Sequence, residues 1–244
     1  MKFAVIIPAR YESSRLPGKP LIELCGVPMV IRTYRQCVKA VPPELVFVAT
    51  EDSRIRDVCV REGIQCLMTS TDCLTGTDRI AECAQYLDAD IFINIQGDEP
   101  AFNPDDIKAI LKTAAANPDK IINGYCEITE EELFRSPTIP KVVMRPDGNL
   151  LYMSRSPIPT NKKHQFVKSW RQVCAYAFPR KALETFSRSN GKTPLEEVED
   201  IEILRFLELG LDVKMIEMSS NSVAVDTPED IQRAEKAIKI LGLA

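Results

Sequence analysis

The sequence predicts an α/β fold in which a mostly parallel sheet is flanked by helices and carries an inserted, partly antiparallel lobe. Three observations lead there. The first hundred residues alternate apolar runs with amphipathic segments in the order β-α-β-α-β-α-β, which a parallel sheet with crossover helices requires. The opening run at residues 2–7 is apolar nearly throughout, as a strand covered on both faces must be. Beyond residue 140 the alternation gives way to strand-like runs punctuated by turn signals.

Taken in order, residues 28–38 read as a helix and 45–50 as the next strand. A helix at 52–62, closed by Gly63, leads to a strand at 64–69. Residues 77–87 form a third helix and 90–96 a fourth strand, which ends in Gly97-Asp98-Glu99-Pro100. After a helix at about 104–116 the regular crossovers stop. Residues 141–145 and 149–154 flank Pro146-Asp147-Gly148, a turn signal that predicts an antiparallel hairpin. Polar residues 160–170 read as a loop, 173–178 as a strand, and Pro179 opens a helix. A longer helix covers about 195–209 and a strand follows at 212–217. Thr227 as N-cap, Pro228 at the first helical position and Asp230 three residues after the cap start the last helix, which runs to about Ile240.

The expected organisation is a Rossmann-like nucleotide-binding α/β domain from residues 1–134 and 191–244, with the lobe inserted at 135–190. Ligands of such sheets gather at the carboxyl ends of the strands, so the loops after Ile7, Ile95 and Val225 draw attention first.

Composition narrows the function. A net charge of −4 argues against a nucleic-acid partner, yet residues 1–20 carry Lys2, Arg10, Arg15 and Lys19 against a lone Glu12. A local cationic loop on an acidic chain suits a small phosphorylated ligand. No segment approaches the ~20 apolar residues that span a bilayer, and the first apolar run is too short for a signal-peptide core. A cytoplasmic protein without a membrane partner is expected. The eight cysteines include no C-x-x-C pair, and several lie in apolar periodic segments where thiols act as small core residues. With a single histidine, His164, in a polar loop, a Ser-His-Asp triad or a multi-histidine metal site has little to draw on.

Residues 8–20, directly after the first strand, bring Arg10, Arg15 and Lys19 together with the hydroxyls of Ser13 and Ser14 in a loop shaped by Pro and Gly. Such a loop can turn several donors onto a triphosphate. Its spacing is not that of a Walker P-loop. The order R-x-x-S-x-R-x-P-G-K is the signature of sugar nucleotidyltransferases, and this loop resembles that of the CMP-Kdo synthetases, the 3-deoxy-manno-octulosonate cytidylyltransferases. The resemblance continues through Thr75-Gly76-Thr77-Asp78-Arg79 (family S-G-T-E-R) and Gln96-Gly97-Asp98-Glu99-Pro100, which matches outright. It extends through residues 152–159 (family Y-F-S-R-x-x-I-P) and 225–230 (family V-D-T-P-E-D).

That resemblance implies transfer of CMP from CTP to an acidic 3-deoxy sugar, with Mg2+ as cofactor and a homodimer formed through the inserted, sugar-binding lobe. It assigns Arg10, Arg15 and Lys19 to the triphosphate and the backbone near Pro8 and Ala9 to cytosine. Thr75, Gly76, Thr77, Arg79 and Gln96 enclose the nucleotide. Asp98 and Asp226 become metal ligands, and these two with Lys19 and Arg15 are the implied catalytic set. Gln96, Arg155, Gln172, Tyr176 and Glu202 face the sugar, with Arg155 on its carboxylate. The chain departs from the family at two places. Gln172 stands where the family has histidine, and Ile203 replaces a glutamine of the sugar pocket. If buried, a substrate hydroxyl facing Ile203 would lose a partner at roughly 1–3 kcal/mol, which points to Kdo or an amino- or deoxy-modified relative as the sugar. The competing readings are transfer to a nonulosonate or a sugar phosphate, and a non-catalytic nucleotide-binding regulator on the same scaffold.

Overall fold

The computed structural model describes residues 1–13, 15–189, 191–220 and 223–244. Ser14, one of the two loop hydroxyls, and residue 190, the expected end of the lobe, lie outside the described residues.

In chain order the elements are β1 (Phe3–Pro8), β2 (Glu23–Leu24), β3 (Val27–Pro28), α1 (Met29–Cys37), β4 (Val46–Thr50), α2 (Ser53–Arg61), β5 (Gln65–Met68), α3 (Gly76–Cys83), β6 (Ile91–Ile95) and α4 (Pro104–Ala116). Then come β7 (Ile121–Ile128), α5 (Glu131–Arg135), β8 (Lys141–Met144), β9 (Leu150–Ser154), β10 (Ser169–Pro179), α6 (Arg180–Ser187), α7 (Pro194–Glu199), α8 (Ile203–Glu208), β11 (Val213–Glu217) and α9 (Pro228–Ile240). The main sheet runs β11-β7-β10-β6-β1-β4-β5. β1 pairs in parallel with β4 and β6, β4 with β5, and β11 with β7, whereas β10 is antiparallel to both its neighbours.

The continuous apolar run of β1 has its reason in the layers. Val5 and Ile7 pack beneath α1, α2 and α4 among Val30, Ile55 and Ile107, while Ala4 and Ile6 pack on the other face among Ile80, Leu183 and Phe206 of α3, α6 and α8. Water is excluded from both sides, so alternation disappears.

Three expectations need correction. No strand is foreseen at 121–128; in the fold Asn123 is fully buried and β7 passes through the sheet. The expected helix at 195–209 is two helices, since Asp200 takes a left-handed conformation (φ 50°) that ends α7 before Glu202 starts α8. The expected lobe boundary also fails. β10 lies between β7 and β6 in the main sheet, so residues 169–179 belong to the sheet, and the β8–β9 hairpin branches from β10.

Candidate active site

One cleft of about 710 Å³ opens at the carboxyl ends of β1 and β6, within the size range of ligand sites. Its walls include Pro8, Ala9, Arg10, Arg15, Lys19, Thr75, Gly76, Arg79, Gln96, Asp98 and Asp226, and also Arg155, Gln172, Tyr176 and Glu202. Among the described residues expected at the site, Thr77 and Ile203 do not line it.

Local structure brings these side chains in. Gly18 has φ +69°, and a β-carbon there would meet the Tyr11 hydroxyl at 3.1 Å, so glycine lets the loop turn back on itself. The Gly18 N–H donates to the Tyr11 carbonyl at 3.0 Å, and the Tyr11 N–H to Glu51 Oε1 at 2.9 Å. Arg54 lies over the Tyr11 ring, 3.3 Å from its centroid. The loop is thereby pinned at its middle, and the 3-10 turn at Lys19–Leu21 delivers Lys19 to the cleft. After β6 the backbone presses against β1: a β-carbon on Gly97 would meet the Pro8 carbonyl at 2.8 Å, and Thr33 Oγ1 donates to the Gly97 carbonyl at 3.2 Å.

Asp98 and Asp226 are far apart in sequence and meet here. The Val225 N–H donates to the Asp98 carbonyl at 3.0 Å, joining the two loops. The capping box of α9 fixes the second aspartate, because Asp230 Oδ2 accepts from the N–H groups of Asp226 at 3.0 Å and Thr227 at 2.9 Å. Lys19 Nζ then donates to Asp98 Oδ2 at 2.6 Å and to Asp226 Oδ1 at 3.1 Å, while Arg15 Nη2 reaches Asp226 Oδ1 at 3.1 Å. Burial works against the Lys19 charge, but the two carboxylates prevail and hold its ammonium above the usual range. Arg10 is exposed and makes no hydrogen bond or ion pair among the described residues, so its guanidinium is free for an anion.

On the opposite wall, Glu202 sits against the start of α3. It accepts from Thr77 Oγ1 at 2.5 Å, from the Thr77 N–H at 3.0 Å and from the Gly76 N–H at 3.3 Å. Burial raises its pKa, and these donors work against that rise. Thr77 therefore holds Glu202 with both its hydroxyl and its N–H.

The sequence profile of the cytidylyltransferase family matches residues 4–216. The chain belongs to the cytidylyltransferase family.

Its relatives include the 3-deoxy-manno-octulosonate cytidylyltransferase of Trichlorobacter lovleyi, 39% identical over 98% of this chain and 99% of that one. The enzyme of the same name from Escherichia coli is 34% identical over 95% of this chain and 94% of the other. Among solved structures, CMP:2-keto-3-deoxy-manno-octonic acid synthetase complexed with CTP superposes with a TM-score of 0.91 at 32% identity, covering 99% of this chain and all of that one.

Two residues of this cytidylyltransferase do work that the sequence does not announce. The Arg79 side chain is buried, ion-pairs with Glu51 Oε2 at 2.7 Å and donates to Thr69 Oγ1, so it braces the loop through Glu51. Arg155 spends its guanidinium on backbone carbonyls, of Glu199 at 2.5 Å, Pro137 at 3.1 Å, Thr138 at 3.3 Å and Asp200 at 2.9 Å. It stitches three segments of the cleft wall together and keeps little donor capacity for a substrate carboxylate. Ile203 is also misplaced by sequence reasoning: it is 1% exposed and packs in the core beneath the cleft, where the neighbouring Ile201 and Glu202 form the wall.

Sequence reasoning misses Lys141 altogether. Fully buried at the start of β8, its ammonium donates to the carbonyls of Ser136 at 2.7 Å, Ile139 at 2.7 Å and Arg155 at 2.5 Å. Burial, helped by Arg155, brings its pKa down to about 8. A charged residue opening an apolar strand was the available signal.

Proposed function

We propose that this cytidylyltransferase transfers CMP from CTP to the anomeric hydroxyl of a 3-deoxy-octulosonic acid, Kdo or a close amino or deoxy variant. Pyrophosphate is released, and the product feeds lipopolysaccharide or related glycan synthesis. The observation that carries this reading is the meeting of Lys19, Asp98 and Asp226 in a cleft that is also lined by the polar side chains of Gln172, Tyr176 and Glu202. In the reaction the sugar oxygen forms a bond to the α-phosphorus of CTP, the bond to pyrophosphate breaks, and the hydroxyl proton is lost. Arg10, Arg15 and Lys19 offset charge on the triphosphate and on the leaving pyrophosphate. Pro8, Ala9, Thr75, Gly76 and Gln96 enclose the nucleotide, while Gln172, Tyr176 and Glu202 line the sugar end.

The donor set suits magnesium. Two carboxylates already converge on one cation, the Lys19 ammonium, and no group of three or more His, Cys, Asp or Glu that could hold a metal is found among the described residues. Magnesium takes one or two carboxylates and fills its remaining positions with water and phosphate oxygens. Asp98 and Asp226 are the residues that would hold it. When bound, the ion would lower the pKa of the attacking hydroxyl and offset charge at phosphorus.

The sugar is tested by comparing kcat/KM for Kdo and for its 8-amino analogue in a pyrophosphate-release assay at saturating CTP. With Gln172 in place of histidine, the modified sugar is expected to be used at least as well as Kdo. A clear preference for Kdo removes the modified-sugar reading, and no release with any acid sugar removes the function. We also place the enzyme in the cytoplasm as a homodimer. The free thiols of its cysteines suit a reducing compartment, and Leu151 and Val167 of the lobe region leave apolar surface at 56% and 74% exposure. Cell fractionation and light scattering check both placements, which a membrane-bound species or a 27.4 kDa monomer would overturn.

A further inference from the structure

The strand β10 carries Gln172, Cys174 and Tyr176 into the cleft, and its pairing with β7 slips between Val173 and Tyr176. At that irregularity two β10 carbonyls need a donor from β7. Asn123 supplies it: Nδ2 donates to the Val173 carbonyl and to the Ala175 carbonyl, both at 3.0 Å. The side chain is fully buried, so leaving either carbonyl unpaired would be costly. With both N–H groups spent, the Asn123 amide has one orientation, and Oδ1 points toward Gln172.

That orientation propagates. Asn123 Oδ1 can only accept, so Gln172 must present its NH2 group, and Nε2 donates to Oδ1 at 3.0 Å. The second N–H of Gln172 goes to the Tyr176 hydroxyl at 3.1 Å. Gln172 is therefore exhausted as a donor, and its Oε1, which accepts no hydrogen bond among the described residues, is the group left for the cleft.

We propose that Asn123 is a positioning residue for sugar selection: it locks Gln172 so that this point of the cleft presents a hydrogen-bond acceptor and reads a donor, hydroxyl or ammonium, on the acid sugar. The inference rests on the proposed function and adds the polarity of one contact and the residue that sets it. A histidine at position 172 could present either polarity by changing tautomer. The Asn123–Gln172 pair offers one.

A double-mutant cycle with Asn123→Ala and Gln172→Met tests it, read as kcat/KM for the sugar at saturating CTP. Each single variant is expected to lose about tenfold, raising the sugar KM while the KM for CTP changes less than about twofold. The double variant is expected to be no worse than either single, because both remove the same contact. Losses that multiply, or an Asn123 variant with unchanged sugar KM, overturn the proposal. Should Asn123→Ala fail to fold, Gln172→Met suffices with a series of sugars in which each hydroxyl in turn is replaced by fluorine, which cannot donate. One position should then penalise the wild type about tenfold and the variant hardly at all; equal penalties at every position refute donor reading. Absence of pyrophosphate release by the wild type with every acid sugar would instead indict the proposed function.

Discussion

Replacing Asp98 or Asp226 by asparagine is expected to lower turnover at least about 100-fold, with the folded structure retained. Asparagine keeps the shape of each side chain and can still accept from Lys19, which retains its other carboxylate in either variant. What it removes is a negative charge from the place where two carboxylates converge. Pyrophosphate release at saturating CTP and sugar, followed across a magnesium titration, separates two roles. If the aspartates serve the ion, both variants need more magnesium for half-maximal turnover and stay slow at saturation. If they only steady Lys19, the magnesium dependence is unchanged. Near-normal turnover of both variants at saturating magnesium ends the metal assignment. Melting curves within a few degrees of the wild type exclude misfolding as the cause.

The largest loss of stability is expected from Arg205→Met. Arg205 is 1% exposed, as is the side chain of Glu196, to which it donates from Nε at 2.5 Å and Nη2 at 2.7 Å. Its Nη1 meets Asp78 Oδ1 at 3.1 Å, and its guanidinium lies 3.7 Å from the Phe186 ring centroid. Burial opposes the Arg205 charge, but Glu196 and Asp78 raise its pKa above the usual arginine value. Taking away one member strands a buried carboxylate, which costs about 3–5 kcal/mol. For a chain of this size the melting temperature should fall by roughly 10 °C. Adding Glu196→Gln to Arg205→Met should recover part of that loss, since the stranded charge is gone. A thermal melt reads both variants, and an Arg205→Met protein as stable as the wild type would show that the pair contributes nothing. Because the network joins α7 and α8 to the capping residue of α3, the same variant should also weaken sugar use.

The loops that line the cleft were legible because their geometry is local. The turn at Gly18, the helix start at Thr227 and the strand ends at Ile7 and Ile95 are each set by a few consecutive residues, and together they place Lys19, Asp98 and Asp226 on one edge of the sheet. Residues that act across the fold were read less well. Arg79 and Arg155 look like ligand cations in sequence, yet Glu51 and four carbonyls claim them. Asn123 carries no signal in sequence, and its role exists only because β10 packs beside it.

The sequence by itself determined most of the strands and helices and the loops that carry charge to the cleft, and its ordered motifs carried the family resemblance. The elements and loops follow from periodicity, caps and turn chemistry, which depend on neighbours in the chain, whereas the family rests on the matched motifs. Only the tertiary structure decided which polar groups are spent and which remain for a ligand. A hydrogen bond is claimed by whichever partner the fold brings within about 3 Å, and that partner can lie anywhere in the sequence. Gln172 and Arg155 make the point together. Both were expected to bind sugar, but packing leaves one with an unclaimed acceptor and commits the other almost wholly to backbone.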